Sequence, residues 1–298
     1  MTTLTARVGC VLGSALMFAA CADTQSGTTS SATPTERKCA SRDVPAAEAM
    51  ALEATLEDPI ISDVVEGTVV QIPVFFHVIT DNAGNGDVPD AQIDAQLDVM
   101  NKGFAGADGG ADTSFQFVKI GVERVKNSAW FGVTPDSAAE REMKSTLRKG
   151  GADTLNFYLA NIGDGLLGWA TFPQDYQSDP KMDGVIVLNT SVPGGAAEPF
   201  NEGDTGTHEV GHWIGLFHTF QNGCSAPGDL VKDTPRVREP NFGCPTVVDS
   251  CPSEDGGPAR ADLANNFMDY VDDGCMDAFT SGQATRAQRY FRNFREGK

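Results

Sequence analysis

Histidine is scarce in this chain: 298 residues hold four, at positions 77, 208, 212 and 218, and three of them fall within eleven positions. Such clustering of a scarce metal-binding residue type is hard to ascribe to composition. Basic residues are also few, 22 against 41 acidic ones, which leaves a formal charge of -19. That surplus repels phosphate backbones and anionic membranes, so it excludes nucleic acid as a partner and suits cation binding. The apolar stretch near the N-terminus, Val8 to Ala20, has thirteen apolar or small residues, too few for a mature membrane-spanning helix of about 20. No internal repeat is visible, and the cysteines lack the paired C-x-x-C knuckles of a zinc ribbon.

What is present reads as one catalytic unit with export and regulatory appendages, since 40% hydrophobic content supports one good core. Residues 1–20 read as a signal peptide: a short segment ending at Arg7, the apolar stretch, then small residues. Phe18-Ala19-Ala20-Cys21 resembles a lipobox that would lipidate Cys21, and Ala20-Cys21-Ala22 equally fits ordinary signal peptidase. The chain is therefore expected to be exported, either secreted or lipid-anchored at the cell envelope. Residues 21–66 read as a tether and pro-segment, low in apolar period from Asp23 to Glu36, with a short helix over Val44 to Leu56 ending before Asp58-Pro59. The catalytic domain is expected over 67–298, with an upper lobe to about 218 and a lower lobe from 219.

Strands are predicted at Thr68–Thr80, Ser114–Val125, Leu155–Asn161 and Gly184–Thr190, with helices at Pro89–Gly103 and Ser137–Lys149. Gly168-Trp169-Ala170-Thr171-Phe172-Pro173 reads as a short edge strand closed by proline. A helix then carries the clustered histidines. Beyond Phe220 periodicity disappears until a last helix over Ser281–Arg295. His77, inside an apolar strand, reads as a core histidine.

The run Thr207-His-Glu-Val-Gly-His-Trp-Ile-Gly-Leu-Phe-His218 is H-E-x-x-H extended by x-x-G-x-x-H. At about 3.6 residues per turn, His208 and His212 share a helix face and can reach one ion, with Glu209 beside them. His218 cannot lie on that face of a continuing helix, so Gly215 is expected to end it in a positive-φ turn. Three imidazoles leave the fourth position of a tetrahedral zinc for water, and Glu209 would act as its general base in peptide hydrolysis. The bland alternative, a core helix with incidental histidines, does not account for the added glycine and third histidine.

Here the sequence resembles the pappalysin family of the metzincin clan, over about Ile72 to Arg289. The resemblance rests on the zinc motif, on Asn265-Asn266-Phe267-Met268-Asp269-Tyr270 as a Met-turn, and on Cys275-Met276-Asp277-Ala278-Phe279-Thr280 after it. It implies an α+β fold with an α/β-like N-terminal lobe: a metzincin-type zincin with a twisted mixed sheet, an active-site helix and an irregular C-terminal lobe. Met268 would floor the metal site, and Tyr270 would approach the zinc or steady the tetrahedral intermediate. Gly168, Trp169, Ala170 and Thr171 would form the edge strand that pairs with an extended protein or peptide substrate. Asp204, before the zinc helix, departs from the family's usual basic residue.

Four cysteines in an exported, loop-rich region imply two disulfides, with three connectivities open; the resemblance selects Cys224–Cys251 and Cys244–Cys275. Cys39 is left over, either as a cysteine switch that occupies the zinc's open position or as a free thiol or intermolecular bridge. Gly228 to Pro235 resembles the family's calcium loop, with Asp229, Asp233 and Thr234 as ligands, although acidic loops are often simply solvated. The expected cofactors are zinc and calcium. The rival reading is a non-catalytic, zinc-stabilised binding lipoprotein, against which the intact Glu209 speaks; a second rival uses a distant carboxylate in place of His218.

Overall fold

Strand β1 (Val70–Thr80) is apolar on both faces and forms the spine of a five-stranded sheet in a computed structural model that describes residues 1, 34–56, 69–251 and 260–298. The segment expected to direct export, with Cys10 and Cys21, lies outside the described residues, as do residues 57–68 and 252–259. From Ser31 onward the chain forms one compact unit, which includes helix α1 (Ala46–Leu56). Among the described residues no helix is long and apolar enough to cross a membrane.

After β1 come α2 (Asp90–Phe104), β2 (Phe115–Lys126), α3 (Ser128–Phe131), α4 (Ala138–Leu147), β3 (Leu155–Ala160), β4 (Gly168–Ala170), β5 (Val185–Leu188), α5 (Asp204–Trp213) and α6 (Ser281–Phe294). The sheet order is β2-β1-β3-β5-β4; all neighbours run parallel except β4, which lies antiparallel to β5 at the edge. The fold is α+β with a mixed sheet.

Period-two alternation splits the core. Ile72, Val74, Phe76 and Val78 of β1, with Leu155, Phe157, Val185 and Val187, face the cluster that also takes Ile93, Met100 and Phe104 of α2 and Val210 and Trp213 of α5. Tyr158, Ala160, Ile186 and Leu188 face the other way, onto Met143 and Leu147 of α4. Burial on both faces is what crossover helices impose on parallel strands.

The edge strand is shorter than predicted. It stops at Ala170, because the Thr171 hydroxyl turns inward to Met182 O and Gly184 O, at 2.9 and 3.0 Å, and Pro173 opens a 3-10 turn. Helix α3 was not predicted; the Asn127 side chain starts it by accepting from Ala129 N and Trp130 N.

Candidate active site and metal centre

Helix α5 carries His208, Glu209 and His212, and both of its ends are fixed by distant residues. It starts at Gly203, φ 105°, with no local side-chain cap. Asp273, from the lower lobe, supplies one: its Oδ2 accepts from the backbone N–H groups of Glu202, Gly203 and Asp204 at 2.9, 3.1 and 3.3 Å. At the other end Gly215 has φ 105°, a conformation other residues adopt only with strain, and a β-carbon there would strike the Tyr290 ring. Arg286 donates to Gly215 O and Arg295 to Trp213 O, so two α6-side cations neutralise the helix's negative end.

The turn at Gly215 brings His218 back to the helix. Potential ligand atoms of Cys39, His208, His212 and His218 all lie within 4.8 Å of one another. His208 Nδ1 lies 2.7 Å from Phe267 O, and His212 Nδ1 lies 2.8 Å from Leu216 O. Each Nδ1–H therefore donates to a carbonyl, and each Nε2 lone pair is aimed into the cluster. Burial holds all three imidazoles neutral: His208 and His218 are driven well below the ordinary histidine range, and His212 falls to about 4.

Glu209 projects beside this set, buried against the edge strand; a β-carbon on Gly168 would meet the Glu209 side chain. Burial pushes the Glu209 carboxyl up to about 8, against hydrogen bonds from Cys39 and Ser41 that pull it down. Cys39 Sγ stands 3.3 Å and Ser41 Oγ 3.2 Å from Glu209 Oε2. Burial, then the Glu209 charge, raises the Cys39 thiol well above its usual range; a dication among the imidazoles would reverse this, since a coordinating thiol is deprotonated outright. Residues 38–41 run along β4: Leu167 N donates to Lys38 O and Ala40 N to Gly168 O, both at 2.9 Å, and Cys39 bridges Gly168 in parallel sense. Tyr270 OH accepts from Cys39 N at 3.3 Å, and its ring packs 5.0 Å from that of His218.

Two residues before Cys39 the chain turns inward. Arg37 is 1% exposed and ion-paired with Asp273, with further bonds to Thr205 Oγ1 and Val271 O, both at 3.2 Å. Asp204 lies in the same region, and burial and then Asp273 raise its carboxyl well above the usual range while Arg37 opposes them. An acidic residue at the start of α5 is thus tolerated beside a buried guanidinium. Arg37, Ser41 and Asp273 escaped sequence reasoning, because no spacing links them to the histidine motif.

Met268 is fully buried against Gly211 of α5, where a β-carbon would strike its sulfur. Its turn is held by Asn266, which accepts from Met268 N at 3.0 Å and exchanges two hydrogen bonds with Gln283. Disulfides join Cys224 to Cys251 and Cys244 to Cys275. In the 228–234 loop the Asp229 carboxylate accepts from Thr234 Oγ1 and Val231 N, and burial pushes it up to about 7. Asp233 is committed elsewhere, accepting from Thr280 Oγ1 and Gly282 N at the start of α6. His77 is remote from the cluster in role: it is buried between Glu123 and Asn156 and stacked on Tyr158.

A zinc ion fits the donor set, because His208 Nε2 is a buried polar atom with no protein partner and the other donors converge on it. A family model described as Pregnancy-associated plasma protein-A matches residues 152–291. An extracellular metalloprotease of Pyricularia oryzae is 42% identical over 231 residues, covering 76% of this chain and 77% of that one. The chain belongs to the pappalysin family of metzincin zinc metallopeptidases. This pappalysin is also 41% identical to extracellular metalloprotease 1 of Coccidioides posadasii over 234 residues, 77% of this chain and 79% of that one. Among solved structures, a mutant of Tannerella forsythia promirolysin superposes with TM-score 0.70 at 28% identity, covering 87% of this chain and 95% of that one. Mature mirolysin in complex with a cleaved peptide gives TM-score 0.63 at 29% identity, over 77% and 96%. The pappalysin described here is accordingly a zinc metalloendopeptidase.

Proposed function

We propose that this pappalysin is exported as a latent precursor and, once its pro-segment leaves the cleft, hydrolyses peptide bonds with Glu209 as general base. The observation that carries this reading is the convergence of three neutral imidazoles beside a buried carboxylate that touches Cys39. His208, His212 and His218 would hold zinc, which when bound polarises a carbonyl and acidifies a water. Glu209, beside the three imidazoles, would take a proton from the attacking water and return it to the leaving amine. The Tyr270 hydroxyl, 3.3 Å from Cys39 N, is within reach of a charge developing where Cys39 now sits.

A substrate main chain pairs with β4 in place of residues 38–41, and the pocket that Arg37 fills, closed by Asp273, accepts a basic side chain. Latency would follow from the same contacts: Cys39 would offer its sulfur to the metal, while Arg37 pairs with Asp273 and Ser41 donates to Glu209. The Asp229–Thr234 loop is assigned to calcium on its buried carboxylate. Export is supported by relatives named as extracellular. A binding protein that keeps zinc only for stability needs no buried base, and Glu209 disfavours it.

Activated protein should cleave casein, while Glu209→Ala binds zinc to the same stoichiometry and cleaves nothing; equal cleavage by that variant would refute the mechanism. Cys39→Ala precursor should show activity before processing, and persistent latency would remove Cys39 from the scheme.

A further inference from the structure

On the side of the ligand set opposite Arg37, the pro-segment makes a second buried contact. Val44, 1% exposed, packs with Ala49 against Phe172 and Phe217, and the half-buried Leu230 closes the rim. These walls adjoin the catalytic centre. Phe172 follows the edge strand, and its ring lies 5.3 Å from that of His212 and 5.4 Å from that of Phe217, which directly precedes His218. The backbone is gripped as well, with Gln221 Nε2 donating to Val44 O at 2.9 Å. Next to the pocket, Arg42 lies over the Phe172 ring and reaches both Asp175 oxygens at 2.8 Å.

Leu230 stands at φ 67°, a strained conformation for a bulky side chain that persists only where the surroundings impose it. Its half-buried side chain packs against the cluster of Val44, Ala49, Phe172 and Phe217. A peptide spanning from the Asp273 pocket across Glu209 runs onto this surface, as the pro-segment does.

We infer that Phe172, Phe217 and Leu230 form a substrate subsite for an aliphatic side chain, on the far side of the scissile bond from Asp273, and that Asp175 favours a basic residue beside it. The inference rests on the peptidase reading above and deepens it. An apolar pocket that gains or loses one methylene discriminates by about 10–200-fold; this one is open at the Leu230 rim and should sit near the lower end.

The test starts from full-length protein activated by removal of its pro-segment. Digestion of a proteome-derived peptide library, read by mass spectrometry on both sides of each cut, should reveal enriched Val, Ile and Leu at one fixed position across the cut from the basic residue. Matched peptides with Val or Ser at that position should differ by about tenfold in kcat/KM. Leu230→Gly should bring the ratio below about threefold, and its backbone suits that φ, so misfolding is not the expected cause. Asp175→Asn, on a partly exposed side chain, should erase the basic preference while keeping the Val-to-Ser ratio. A flat profile at every such position, or a Val-to-Ser ratio unchanged in Leu230→Gly, would overturn the subsite and make the Val44 contact a packing anchor only. Absence of cleavage of any peptide by zinc-loaded, activated protein would instead overturn the peptidase reading and the subsite with it.

Discussion

The upper and lower lobes satisfy their buried polar groups by different means. In the upper lobe the eleven registered pairs of β1 with β2 and the parallel ladder to β3 and β5 bond backbone to backbone. In the lower lobe, where the described residues from 219 to 280 form no extended ladder, side chains take over: Asp229, Asp262, Asp269, Asp273 and Asn266 all accept from backbone N–H groups, and two disulfides tie the loops. A ladder shares its load over many equivalent bonds, whereas each of these side chains is a single point of failure. The histidine cluster lies where the two regimes meet, with His208, Glu209 and His212 on the upper-lobe helix and His218 and Tyr270 in the lower part of the chain.

The largest effect should come from the tie between the lobes. Arg295, wholly buried, donates to Asp183, Ala152 O and Trp213 O, and its guanidinium stacks 3.6 Å over the Trp213 ring. Arg295→Met leaves Asp183 without its main partner and should cost about 3–5 kcal/mol in urea unfolding. Arg124→Met, which removes exposed pairs to Asp87 and Asp90, should cost at most about 1 kcal/mol, and a similar loss in both would erase the contrast.

Replacing Cys244 and Cys275 together by serine should cost about 2–5 kcal/mol. Hydrogen exchange should localise the loosening to the lower lobe, with β1 and β3 still protected. Asn266→Ala should follow at about 1–3 kcal/mol, since it frees Met268 N and strands the Gln283 amide in a buried site; near-wild-type unfolding would mean that the Met-turn does not depend on this bond.

A further test of the lower lobe is in pH. Asp229 has a folded value of about 7, above its ordinary value of 3.8, so the metal-free fold is favoured while the group is protonated. That stabilisation is complete below about pH 4 and lost as pH rises to about 7. Its contribution to the melting temperature should therefore decline across that window without calcium. Saturating calcium should cancel the decline, because a bound cation favours the carboxylate. Identical profiles with and without calcium would remove the ion from this loop.

Much of the upper lobe was legible because its determinants are local. Short apolar runs rich in β-formers located β1, β2, β3 and β5 to within a few residues, and the i, i+4 histidines with Gly215 described α5 and its end. The edge strand was overextended because nothing in Thr171-Phe172-Pro173 announces that a hydroxyl will turn inward to Gly184. Helix α3 was too short to show a period. The pocket that holds Arg37 could not be read, since Asp273 is 236 positions away in the chain.

Taken alone, the amino-acid order determined that His208 and His212 share a face with Glu209 beside them, because helical geometry over one turn depends only on neighbours. It also determined the acidic balance of the chain, 41 acidic residues against 22 basic. Tertiary structure alone decided what surrounds that motif: which carboxylate caps α5, which cations close it, which turn floors it, and where residues 37–44 lie across the cleft. Those contacts join segments far apart in sequence, and their energies come from burial, which no local pattern encodes.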